Sequence, residues 1–321
     1  MPTVAGAPPE PPRIAVLGSF MQACCWRMAR LPRRGESVCA EAFATEPAGK
    51  GLSVAVGSRR LGARVDLLMA IGNDYVGDRL LQRLSDEGLA AGHVHRRGAR
   101  SGYGAGLEGG GDNAIAVFPG ANALLAPADV AAAEADIAAA GLLYGQFEVP
   151  PATVEAAFRA ARAHGTRTVL NPSPWRPLAP ALLALADVLI VNAVEARALL
   201  RRPLAPDRAG CAARLAAALP ALRRRWRGEW LVVSLGAEGS LAVARDGSVA
   251  EAPALPVPAT RSVGAGDAFS AGFCVALARG AGVRQALREG NACAALAVGR
   301  DGILDALPRA EELAAALRPS A

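Results

Sequence analysis

Gly264-Ala265-Gly266-Asp267 sets three small residues directly before a helical pattern whose apolar face runs through Phe269, Phe273, Ala276 and Leu277. A helix amino end presents unpaired N–H groups and a partial positive charge, and small side chains let an anion approach them closely. A carboxylate in the first turn then stands beside a bound phosphate, where a base for an incoming hydroxyl is needed. Asp267 equally fits a plainer role as a capping charge.

Ala48-Gly49-Lys50-Gly51 opens a second helical pattern. It is not a Walker loop, because Gly51 rather than Ser or Thr follows the lysine. Its glycines suit a backbone that approaches a ligand, and Lys50 suits a point charge for phosphate. A surface lysine at a helix start is the alternative, although a cation there opposes the helix dipole. Asn192-Ala-Val-Glu195 ends an apolar run, and Glu195 could hold Mg2+ through water or simply close a helix cap. Ser234-Leu-Gly236-Ala-Glu-Gly239 follows another apolar run, a weak nucleotide-loop pattern that tight turns also produce.

These groups need a scaffold. Short aliphatic runs at 14–17, 65–71, 168–170, 188–191 and 231–234 read as buried strands. Between them, 52–61, 77–87, 128–139, 153–164, 208–222 and 267–279 read as helices. Gly62, Gly88, Gly165 and Gly280 close four of these in the left-handed region. This alternation predicts an α/β fold, a mostly parallel sheet with helices on both faces. Residues 102–107 and 114–118, separated by Glu108-Gly-Gly-Gly-Asp112-Asn113, predict a hairpin, and 38–47 looks extended. Together they predict a small β lid, from about 36–48 and 100–120, over the sheet's carboxyl edge, where open α/β sheets bind ligands. Residues 1–13, rich in proline, read as a disordered tail, and 14–321 as a single domain.

Composition narrows the classes. At 321 residues and 52% hydrophobic, the chain can bury a large core, and disorder and collagen-like readings fall away. Six cysteines without a CxxC pair argue against a disulfide scaffold and for a cytoplasmic protein with reduced thiols. No apolar stretch reaches the roughly 20 residues of a membrane span. The formal charge is +6, but Lys50 is the only lysine among 35 basic residues, so the arginine excess reflects genome composition more than a polyanionic partner. The run Arg223-Arg-Arg-Trp-Arg227 is read as a solvated helix end rather than a nucleic-acid surface.

In this order, the pieces resemble the ribokinase family of carbohydrate and nucleoside kinases, of the phosphofructokinase-B type. The resemblance runs from about Ile14 to about Leu313. It rests on Gly18-Ser19 with Pro32-x-x-Gly35-Glu36, on Ala48-Gly-Lys-Gly51 with Arg60-Leu-Gly-Ala63 and Gly72-Asn-Asp74-x-x-Gly77, and on Phe118-Pro-Gly-Ala-Asn122. Gln146-Phe-Glu148, Asn171-Pro-Ser-Pro174 and the long Gly264-Ala-Gly-Asp-Ala-Phe269 complete it. It implies a three-layer α/β/α sandwich with a β-sheet lid, and ATP-dependent phosphorylation of a hydroxymethyl group. Asp267 would be the base, and the N–H groups of Ala265, Gly266 and Asp267, after Gly264, the anion hole. Gly49, Lys50, Gly51, Ser53 and Glu148 would meet the acceptor. Asn192, Ser234, Gly236, Gly239 and Asn291 would meet the nucleotide, and Glu195 would order Mg2+ through water. Asn291, four residues after Leu287 in a helix, also fits a buried amide.

Three departures bear on substrate. Ala23 stands where relatives carry a sugar-holding Asp, and Ser53 where they carry Asn, which argues against ribose itself. Arg261-Ser262-Val263 replaces the Asp-Thr-Thr that helps hold potassium, so the expectation is that no monovalent cation is used and that Arg261 supplies the charge. Phe20, Met21 and Ala23 could instead accept a nucleoside base. A catalytically impaired ligand-binding regulator is a third reading, opposed by the retained Asp267. No nucleic-acid or membrane partner is expected. A lid made of strands has edges that a second lid would cover, so a homodimer through the lid is a further expectation.

Overall fold

The computed structural model describes residues 10–205, 207–257 and 263–318. In chain order the strands are β1 (Arg13–Leu17), β2 (Met21–Met28), β3 (Ala42–Ala48), β4 (Arg64–Ile71), β5 (His93–Arg96), β6 (Gly102–Gly109) and β7 (Asp112–Phe118). They continue with β8 (Leu142–Gln146), β9 (Arg167–Asn171), β10 (Val188–Asn192), β11 (Trp230–Ser234), β12 (Ser240–Ala244) and β13 (Val249–Ala252). The helices are α1 (Lys50–Arg60), α2 (Tyr75–Asp86), α3 (Pro127–Ala132), α4 (Glu134–Ala139), α5 (Pro151–Ala163) and α6 (Pro180–Leu185). After them come α7 (Ala193–Leu200), α8 (Arg208–Arg223), α9 (Ala265–Ala278), α10 (Val283–Val298) and α11 (Ala310–Ala316).

Nine strands form one sheet in the order β13-β12-β11-β10-β9-β8-β1-β4-β5, parallel except where β12 runs against both neighbours. Its strands read as unbroken apolar runs because each face is covered by helices. In β1, Ile14 and Val16 join one core with α1, α2, α9 and α10. Ala15 and Leu17 join the other, with α3 to α8. The sandwich is therefore three layers deep, and helices α1 and α9 lie on the same layer, their amino ends at the sheet's carboxyl edge.

A separate four-stranded sheet, β3-β2-β6-β7, makes the lid. The expected hairpin is β6 and β7, joined through Gly110 and Gly111, both at positive φ (64° and 83°). A two-residue turn of that hand matches the twist of paired strands. The lid's second strand, β2, was not foreseen. Its sequence, MQACCWRM, has no β-branched residue, and pairing with β3 and β6 makes it a strand. The central strand β8 was also missed, because it lies at the end of a long Ala- and Leu-rich run.

Two boundaries need correction. Arg13 is not part of a tail but opens β1, where its guanidinium pairs with Asp66 and Asp136 at 2.6 Å each. The single helix expected over 128–139 is two, α3 and α4, interrupted at Ala133. The four helix-closing glycines do take positive φ. Residues 1–9 of the expected tail, and Arg261 with Ser262, lie outside the described residues. Among the described residues no helix is long and apolar enough to cross a membrane.

Candidate active site

Gly264 takes φ 84° and turns the chain into α9, placing Asp267 in its first turn. The Asp267 N–H folds back to Gly264 O at 3.1 Å. This corrects the expectation that it joins the anion cradle: a tight first turn uses that donor. The N–H groups of Ala265 and Gly266 have no partner among the described residues, and a Cβ on Gly266 would meet nothing within 4 Å. The space beside Gly266 is thus open to an approaching anion.

Lys50 Nζ stands 3.8 Å from Asp267 Oδ1, and the Asp267 side chain keeps 14% of its surface exposed. Burial pushes the Asp267 carboxyl up to about 6, Lys50 pulls it back, and Glu148 and Glu195 add to the rise. The same three carboxylates, Asp267 foremost, hold Lys50 above its ordinary value against the cost of its burial. One lysine thus serves a ring of acidic groups drawn from α9, β8's exit and α7.

Glu148 is anchored. Its Oε2 accepts from Ser19 Oγ at 2.6 Å and from the Lys50 backbone N–H at 2.8 Å, and its own N–H donates to Gln146 Oε1. Ser19 Oγ in turn accepts from Gly51 N. The amino end of α1 is therefore filled by the protein's own acceptors.

Gly49 and Gly51 are explained differently than the sequence suggested. A Cβ on Gly49 would lie 2.2 Å from Ser19 O, and one on Gly51 2.5 Å from Gly18 Cα. They allow two chain segments to cross at close range. Ser53 also needs correction as an acceptor contact. It is fully buried, because α1 packs against both the sheet and its layer neighbour α9, and its Oγ has no partner among the described residues.

On the neighbouring strands, Asn192 and Ser234 are register partners at the ends of β10 and β11. Asn192 Oδ1 accepts from Glu195 N at 2.9 Å, and Glu195 Oε2 accepts from Asn192 N at 3.0 Å. This reciprocal cap is the plainer of the two readings of the motif, yet it buries Glu195 near Lys50 and Asp267. Gly236 and Gly239 follow Ser234 with φ 59° and 90°, and a Cβ on Gly239 would lie 2.3 Å from Ala252 O. Asn291 Nδ2 donates to Ala252 O and Pro253 O at 3.0 Å each. Its side-chain donor ties α10 to the exit of β13, as the buried-amide reading expects. Among the described residues no group of three or more His, Cys, Asp or Glu could cage a metal.

Phe20 is buried, its backbone held by Asn122 at 2.9 Å and 2.7 Å, and its ring borders the cavity between the lid and α2. Trp226, inside the arginine run, is 2% exposed and donates to Ala186 O, which removes the aromatic from any nucleic-acid surface.

Sequence reasoning missed Tyr144 and Ser19 as site residues. Tyr144 is fully buried on β8, its phenol raised well above the ordinary range by burial and by the Asp267 charge. Only β8 places it there, and β8 was not recognised. Ser19 had a signal: it follows Gly18 at the end of the first strand, the edge where such sheets bind ligands.

Comparison with known proteins agrees with this architecture. The family model described as pfkB family carbohydrate kinase matches residues 11–310. A ribokinase of Bacillus subtilis (strain 168) is 31% identical over 301 residues, covering 94% of this chain and 97% of that protein. A deoxyribokinase of Salmonella typhi is 29% identical over 303 residues, covering 93% and 96%. The Arabidopsis thaliana ribokinase, solved with ribose and ATP, superposes with a TM-score of 0.86 at 23% identity, covering 97% of this chain and 99% of that one. The glycine-led helix end with its buried carboxylate is thus set in a shared fold, and the chain belongs to the pfkB family of carbohydrate kinases.

Proposed function

We propose that the protein transfers the γ-phosphoryl group of ATP to a hydroxymethyl group of a sugar, with Asp267 as the base. The acceptor oxygen attacks the γ-phosphorus, its proton passes to the Asp267 carboxylate, and ADP departs. Such a reaction needs placement and charge neutralisation more than covalent help from the protein. The observation that carries this reading is the pairing of a largely buried carboxylate beside Lys50 with two N–H donors on one helix turn that have no partner among the described residues. Ala265 and Gly266, freed by the turn at Gly264, would cradle the transferring group, and Lys50 would neutralise it.

Ser234, Gly236 and Gly239, with Asn192, would border the nucleotide, as their place at the carboxyl ends of adjacent strands supports. Mg2+ usually keeps several waters and takes one or two carboxylates plus phosphates. Glu195, buried within the field of Lys50 and Asp267, would hold the ion through water. When bound, the ion would neutralise charge on the β- and γ-phosphates. Glu148, fixed by Ser19 and Lys50 N, would orient the acceptor. The same reading puts the protein in the cytoplasm, in keeping with cysteines that form no disulfide among the described residues. It also joins two copies through the lid, whose outer face sets Trp26 against Phe43, rings tilted by 38° at 5.0 Å, and leaves Phe43 and Phe118 over half exposed.

Coupled detection of ADP across a sugar panel tests the reading, with Asp267→Asn as control. That variant should lose about a hundredfold or more in kcat. Unchanged turnover would remove Asp267 from the chemistry. Ligand-induced rise in Tm without any turnover would favour the impaired regulator.

A further inference from the structure

The lid offers the acceptor one charged group outside the motifs. Residues paired across neighbouring strands share a face of a sheet. Ala23 pairs with Glu46 on β3 and with Gly104 on β6, and Gly104 pairs with Val117 on β7. One row of one lid face therefore reads Glu46, Ala23, Gly104, Val117. Adjacent rows put Met21 beside Gly102 and Cys25 beside Gly106 on that face. The opposite face carries Gln22, Thr45 and Tyr103, which with α2 line a separate cavity of about 410 Å³.

Two contacts turn the Glu46 face toward the catalytic helix. Glu46 Oε2 accepts from the Ile303 backbone N–H. The Ile303 side chain would lie 3.9 Å from a Cβ on Gly264, the residue that caps α9. The floor of this face is nearly bare: a Cβ on Gly104 would meet nothing within 4 Å. Glu46 is the only polar side chain in its row, and its Oε1 has no partner among the described residues.

We infer that Glu46 is a specificity-determining residue: its carboxylate accepts a hydrogen bond from a hydroxyl at the end of the acceptor remote from the phosphorylated carbon. The inference rests on the sugar-kinase reading above. A trough of Ala and Gly leaves room for a small ring. A half-buried carboxylate there gains a charge-assisted bond from a hydroxyl, whereas an acceptor without that hydroxyl leaves it desolvated and unpaired.

Steady-state kinetics on pentoses from which hydroxyls are removed one at a time, ribose and its deoxy forms among them, test this. One deoxy acceptor should lose about tenfold or more in kcat/KM with the wild-type protein. Glu46→Ala should raise KM for the fully hydroxylated acceptor by a similar factor, keep kcat within about twofold, and leave that deoxy acceptor unchanged. Glu46→Gln retains an oxygen for Ile303 and separates a latch from a ligand. If both variants keep the wild-type ratio between acceptors, or if Gln fully restores every acceptor that Ala weakens equally, the inference is overturned. Acceptor-induced shifts in Tm give the same ratio without turnover. Wild-type rates in Asp267→Asn would defeat the kinase reading itself, while a silent Asp267→Asn with an unmoved Glu46 ratio would defeat only the role of Glu46.

Discussion

The amino ends of α1 and α9 look alike in sequence and behave as opposites in the fold. Each opens on small residues, and each has a charged residue within its first turn. At α1 the first donors are taken: Lys50 N by Glu148 and Gly51 N by Ser19. At α9 the N–H groups of Ala265 and Gly266 have no acceptor among the described residues, and a Cβ on Gly266 would meet nothing within 4 Å. Glycine near a helix start therefore has two distinct causes, the crossing of two chain segments and the approach of an anion. Only the surroundings tell them apart.

Glycine replacement is the strongest way to break this contrast. Gly51→Ala drives a methyl into Gly18 Cα and Leu17 O, both backbone, so the protein should lose about 3 kcal/mol or more and fail to accumulate in folded form. Gly266→Ala has room for its methyl, so Tm should stay within a few degrees while kcat falls about tenfold, because the methyl stands where the anion must come. Circular dichroism melts beside kinetics check both. A folded, active Gly51→Ala would dissolve the distinction.

Lys50→Met probes the charge that joins the two helix ends. With burial holding Asp267 at about 6, kcat/KM of the wild type should fall as pH drops through that value, since the base must be ionised. Lys50 lowers the Asp267 value, so its removal should move the acid limb to higher pH. Stability changes in the matching sense. A carboxyl raised in the fold favours the native state most at low pH, and that contribution is lost as pH rises through about 6. The variant should therefore match the wild-type Tm better at pH 4.5 than at pH 8. An acid limb that stays in place would show that Lys50 does not act on Asp267.

The smallest effect is expected at Asn291. Its amide serves Ala252 and Pro253, so Asn291→Ala should cost about 1–2 kcal/mol of stability and leave the KM for ATP within about twofold. A large change in that KM alone would return Asn291 to the nucleotide site and narrow the difference between what is packed and what binds.

Much of the architecture was legible because strand and helix periods differ. The buried strands at the core of the large sheet and the hairpin with its Gly-Gly turn were readable from local chemistry. The central strand β8 and the lid strand β2 were not. Leu142–Gln146 sits at the end of an alanine-rich run, and Met21–Met28 has no β-branched residue, so neighbours rather than propensity decide their state. In the site, Asp267, Lys50, Glu148 and Glu195 do converge. Gly49, Gly51, Ser53 and Asn291 are instead engaged in packing or held in the interior, and Tyr144 and Glu46 gained their places only through the fold.

The order of residues alone determined the helix starts, the acidic residue in the first turn of α9, and the solitary lysine between glycines. These depend on neighbours within a few positions, where backbone sterics and capping act. Tertiary structure decided which helix end stays open, how far burial lifts the Asp267 carboxyl, and which lid residue confronts Ala23. Each of those depends on groups distant in the chain, because solvent exclusion and cross-strand register exist only once the segments have packed.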